Sequence, residues 1–119
     1  MSKPKLYPNE CVKKVVIGIP RDHLHVRAVI ELCDQSIVLH EATIAAIARA
    51  FLEVVLHPVK KAVKLELKRV EKDKKPFYAE YQLLEVEEDE HRVVEELEKV
   101  LKEAEKIVCG CAKPADAEG

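Results

Sequence analysis

Glycine, serine and threonine are almost missing from this chain, and tryptophan is wholly so: there are three glycines (Gly18, Gly110, Gly119), two serines (Ser2, Ser36) and the single Thr43. Scattered glycines cannot form the clustered loops through which a backbone approaches phosphate, so P-loop and dinucleotide-fingerprint chemistry is excluded. Serine hydrolysis is excluded too, because it needs a Ser held by a His beside an oxyanion hole. No run approaches the ~18–20 uncharged apolar residues of a membrane span. The opening Met1-Ser2-Lys3-Pro4-Lys5 leads into no export signal, which would need an apolar stretch of roughly 7–15 residues before a cleavage site. The expected compartment is the cytoplasm. Amides are equally scarce, with Asn9, Gln35 and Gln82 set beside 15 Lys and 17 Glu. Lys/Glu enrichment with few thermolabile amides is the composition of a thermophile's protein.

What is present suits one soluble domain over residues 1–119, with 1–10 and 110–119 expected to fray. Of the 119 residues 48% are hydrophobic, enough for a core without staples, and 35% are charged, leaving a net charge of −2. Cys11 to Ile19 is a β-branched run (Val12, Val15, Val16, Ile17) closed by Gly18 and Pro20, and reads as a well-buried strand. From Leu24 the residues alternate: Leu24, Val26, Ala28, Ile30 and Leu32 share one face, His25, Arg27, Glu31 and Cys33 the other. A turn at Asp34-Gln35 would set Cys33 opposite Ser36, Leu32 opposite Ile37 and Ile30 opposite Leu39, so that both apolar sets fall on one side of a hairpin spanning 24–40.

A helix follows through Leu56, stopped by Pro58. Ile44, Ile47, Ala48, Phe51 and Val55 form its expected core stripe, and Ala45, Leu52 and Leu56 a second one, so the helix is apolar nearly all round and must be covered on more than one side. Val63, Leu65 and Leu67 then alternate with Lys64, Glu66 and Lys68, and Phe77, Ala79, Tyr81 and Leu83 with Glu80 and Gln82, across the charged tip 71–76: a second hairpin. Asp89 to Val108 carries Val93, Leu97, Val100, Leu101, Ala104 and Val108 at the spacing of one helical face. The fold class is therefore α+β, a two-layer arrangement with a mainly antiparallel sheet of about five strands and two helices packed on the face bearing Leu24, Ile30, Leu65 and Phe77.

Four groups of residues could carry function. Residues 60–79 hold eight basic and three acidic side chains, and 80–119 five and thirteen. The basic hairpin 60–78, with Lys72, Lys74 and Lys75 at its tip beside Phe77, Tyr78 and Tyr81, is the pattern by which a protein meets nucleic acid, although a solvated hairpin neutralised by the acidic helix has the same composition. His23 and His25, spaced i,i+2 on a strand, would share one face and could hold zinc. His40 falls about 13 Å away at ~3.3 Å per residue, so a third ligand would have to come from elsewhere. Cys109 and Cys111 form a C-x-C at a helix C-terminus, where the dipole raises thiol pKa and disfavours an activated nucleophile. With Cys11 and Cys33 they stay as free thiols or form a structural bridge, an option open to proteins of hot cytosols.

The fourth group lies on the first helix. Ala42 and Ala46 would admit another backbone closely, Leu52 and Leu56 would supply an apolar stripe, and Arg49 with Glu53 would orient subunits. The expectation is a non-enzymatic assembly or binding protein whose partner is a second copy of itself, a dimer being the simplest homo-oligomer. The alternatives are a metal- or thiol-dependent protein built on His23, His25, Cys109 and Cys111, and weak nucleic-acid binding.

Overall fold

A computed structural model describes residues 4–71 and 80–105. Its elements are β1 (Val12–Gly18), β2 (Arg27–Leu32), β3 (Ser36–His40), α1 (Glu41–Leu56), β4 (Leu65–Arg69), β5 (Tyr81–Glu85) and α2 (Glu90–Glu105). This is the expected α+β arrangement of five strands and two helices. The strands divide into two antiparallel sheets, one of order β1-β2-β3 and the other β4-β5. Two compact units result, Met1–Leu39 with Glu96–Gly119, and His40–Glu95.

In the first unit β1 runs antiparallel to β2, with Val15 opposite Ile30, Val16 opposite Val29, Ile17 opposite Ala28 and Gly18 opposite Arg27, after a bulge between Val12 and Lys14. The well-buried strand expected here is instead an edge strand, exposed at all seven positions. Its β-branched side chains satisfy strand geometry without being covered. The hairpin expected to begin at Leu24 begins at Arg27. Pro20 can donate no amide to a ladder, and Asp22 adopts a left-handed backbone (φ 66°) at the head of the turn that the His23 amide closes on the Pro20 carbonyl (3.1 Å). Residues 19–26 therefore form a loop in which Leu24 is 86% exposed, so Leu24 belongs to no core face.

β3 alternates as anticipated, with Ile37 and Leu39 half-buried and Ser36, Val38 and His40 exposed. The Leu32 amide donates to the Gln35 carbonyl (2.8 Å), which places Cys33 and Asp34 at the turn, one residue earlier than expected. This turn also holds the chain's beginning. Lys5 Nζ donates to Asp34 Oδ2 (2.7 Å), the Tyr7 hydroxyl donates to Asp34 Oδ1 (2.9 Å), Gln35 Nε2 donates to that hydroxyl (3.0 Å), and the Cys33 amide donates to the Cys11 carbonyl (3.0 Å). Residues expected to fray are thus anchored from Lys5 onward. Cys11 is fully buried here, with Tyr7 and Cys33 packed on it.

In the second unit β4 pairs with β5 in the register Leu65–Glu85, Leu67–Leu83 and Arg69–Tyr81. The two apolar sets share a face, as the alternation required. Lys72, Lys74, Lys75, Phe77 and Tyr78 lie outside the described residues. α1 rests on β5. Beyond its last turn the His57 amide donates to the Glu53 carbonyl (3.2 Å), and His57 Nδ1 accepts from the amides of Val59 (3.2 Å) and Lys60 (3.1 Å), closing the helix just before and after Pro58.

The buried apolar residues described are mostly small: Cys11, Ala28, Ala46, Val93 and Ala104. The larger apolar side chains sit mainly at surfaces. Among the described residues no helix is long and apolar enough to cross a membrane.

Candidate functional site

α1 distributes its apolar residues around its whole circumference, so packing on β5 can shelter only part of them. Ala46 is buried, while Ala42, Ala50, Glu53 and Val54 are half-buried. Small side chains let a helix approach a sheet closely, and this alanine side is the one covered. The opposite side presents Ile47 (50% exposed), Phe51 (63%), Leu52 (51%), Val55 (57%) and Leu56 (73%). Positions 47, 51 and 55 are successive i,i+4 neighbours, and 52 and 56 form the adjoining row, so the five make one continuous apolar strip along the helix.

The strip corrects the expected packing. Ile47, Phe51 and Val55, read as core, face outward, whereas Ala42 and Ala46, read as a surface for a second backbone, are covered within the chain. Leu52 and Leu56 are exposed as anticipated, and Arg49 lies exposed beside them. Glu53 is not oriented by Arg49. Its Oε2 accepts from Lys60 Nζ (2.5 Å), which also donates to Glu85 Oε2 (2.8 Å), tying the covered side of α1 to the end of β5. The hydrogen bonds to Glu53 and then Glu85 hold the Lys60 ammonium well above the ordinary lysine range, so it is no candidate for a neutral amine nucleophile.

An open cleft of about 480 Å³ lies beside this pair, lined by Lys60, Lys64, Glu85, Glu88, Glu90 and Val93 among others. Its charges answer one another: Lys64 Nζ donates to Glu88 Oε1 (3.1 Å), and the Lys61 amide donates to Glu90 Oε2 (2.8 Å).

The remaining expected residues fall elsewhere. His23 and His25 sit in the exposed loop between β1 and β2, not on a strand, so strand spacing does not align them. Among the described residues no group of three or more His, Cys, Asp or Glu is placed to hold a metal ion. Cys11 and Cys33 are both disulfide-bonded. Cys109 and Cys111, and the basic tip Lys72, Lys74 and Lys75, lie outside the described residues.

No protein-family model, no curated protein and no solved structure matches this chain.

Proposed function

We propose that this chain is a non-enzymatic assembly protein that associates with copies of itself through the outer strip of α1. The observation that supports this is the strip: five large apolar side chains, each at least half exposed, in two adjoining rows along the ten residues from Ile47 to Leu56. Apolar patches beyond a few hundred Å² mark interaction surfaces, and two copies meeting through this one would bury on the order of 1,000 Å², the lower bound for a specific interface. A two-fold contact sets the same strip on both subunits, with Phe51 as the aromatic anchor and Arg49 at the rim. The proposed setting is the cytoplasm of a heat-adapted organism. The Lys/Glu-rich, amide-poor composition supports it, and disulfides are compatible with that compartment there.

Light scattering at micromolar concentration in physiological salt tests the reading. The expected mass is a multiple of the 13.5 kDa chain, and Leu52→Glu reduces it. A wild-type mass of 13.5 kDa overturns the proposal, and a mass unchanged by both Leu52→Glu and Phe51→Glu moves the contact off α1.

A further inference from the structure

Among the described residues a second surface without a partner is an edge of backbone. β1 is the outer strand of its sheet, so part of its amides and carbonyls face away from β2, and its seven residues are all exposed. Val15, Val16 and Ile17 are 50%, 54% and 60% exposed, and Ile19 just beyond them is 59% exposed. Sheets that end in solvent are commonly protected by proline, by charged side chains, lysine above all, by bulges or by a very short strand. This edge carries a bulge and two lysines in its first half, Val12 to Lys14, and none of these protections from Val15 to Gly18. We infer that the outer edge of β1 pairs with β1 of a second copy, antiparallel and centred on Val16, as an interface separate from the α1 strip.

The register follows from symmetry and charge. Opposite residues of an antiparallel pair lie on the same face, and a two-fold axis through the sheet keeps each residue on its own face, so the numbers of opposed residues must add to an even sum. Pairing centred on residue 13 or 14 sets Lys13 or Lys14 against itself, a like-charge opposition that destabilises a ladder. Centring on Val16 sets Val15 opposite Ile17 twice, Val16 opposite Val16, and Lys14 opposite Gly18. β-branched side chains meet β-branched ones, Lys14 of each copy meets the one residue without a side chain, and Lys13 falls opposite Ile19, just past the end of the strand; centring on Val15 would instead set Lys14 against Val16 and Lys13 against Ile17. No atom lies within 4 Å of where a Cβ would stand at Gly18, so the stem of Lys14 has room there. Lys14 is also already compensated within its own chain by Glu31 (3.5 Å). The joined edges make a six-stranded sheet, and both of the β1 edges disappear from solvent.

The test is a cross-link made on the full chain. Residues paired on the two-fold have Cα atoms roughly 4.5–5.5 Å apart, inside the range a disulfide spans. Val16→Cys is therefore expected to give a covalent species of twice 13.5 kDa under mild oxidation, while Leu24→Cys, which is more exposed but lies in the loop off the axis, is not. A charge pattern reads the same register without new thiols. Val15→Lys and Ile17→Glu each break the β1 contact, and the double variant restores it, because position 15 of one copy meets position 17 of the other. The Leu52→Glu background separates this contact from the α1 strip: the variant is expected to remain a dimer there and to become a monomer when Ile17→Glu is added. Cross-linking of Val16→Cys no faster than Leu24→Cys overturns the inference, as it would if the edge takes a strand from a different protein. A Leu52→Glu variant that is already monomeric overturns it while leaving the α1 proposal standing.

Discussion

Lys60 reaches back from beyond the end of α1 to the carboxylate of Glu53, seven residues earlier, and holds Glu85 of β5 with the same ammonium. The lysine's raised pKa makes this link favourable wherever lysine is protonated in the unfolded chain, that is below about 10.4, and it is lost as pH rises through the higher folded value. Melting temperatures of the wild type and Lys60→Met should accordingly differ at pH 7, with the wild type higher, and converge in strong alkali. The gap should also narrow in about 1 M salt, where the Debye length falls to ~3 Å.

Asp34 behaves in the opposite sense. The hydrogen bond from Lys5, helped by that from Tyr7, holds its carboxyl below the usual aspartate range. Its contribution is present above the unfolded value of about 3.9 and is lost as pH falls through the folded value. Asp34→Asn should lower the melting temperature at neutral pH and make progressively less difference below pH ~4. Amide exchange at residues 5–11 would report the same loosening.

Cys11 and Cys33 should resist alkylation in the native protein and become reactive only after reduction, as mass spectrometry of the peptides would show. Reduction is expected to cost roughly 2–5 kcal/mol, the usual consequence of opening a disulfide in a small domain. Labelling of either residue without reductant would contradict the structure.

Phe51 and Ala46 lie on opposite sides of one helix and should respond in opposite ways. A core Phe→Ala change costs about 3–5 kcal/mol, but Phe51 is 63% exposed, so Phe51→Ala should leave the isolated chain nearly as stable while weakening assembly. Ala46 is 4% exposed, and Ala46→Leu should destabilise the chain by about 1–3 kcal/mol through overpacking. Denaturation monitored at concentrations below and above association distinguishes the two effects.

The elements themselves were legible. Alternation located β3 and the shared face of Leu67 and Leu83, and the reach of α1 to Leu56 follows from Pro58. What failed was the assignment of sides. A helix apolar on every face gives periodicity no means of choosing, and the informative signal was the row Ala42, Ala46, Ala50, where small residues permit close packing. Glu53 pointed the same way, because its partner Lys60 lies just past the helix. At Leu24 alternation simply ran on through a loop, although Pro20 already argued for one. The separation of five strands into two sheets depends on contacts distant in sequence, to which local pattern is blind.

The outward strip of α1 also sets how this protein should respond to temperature. Burying Ile47, Phe51, Leu52, Val55 and Leu56 between copies carries a negative heat-capacity change, and the attraction between apolar surfaces weakens on cooling. Subunits held in the proposed way would separate in the cold and tighten as the solution warms, so such an assembly would be at its weakest on ice.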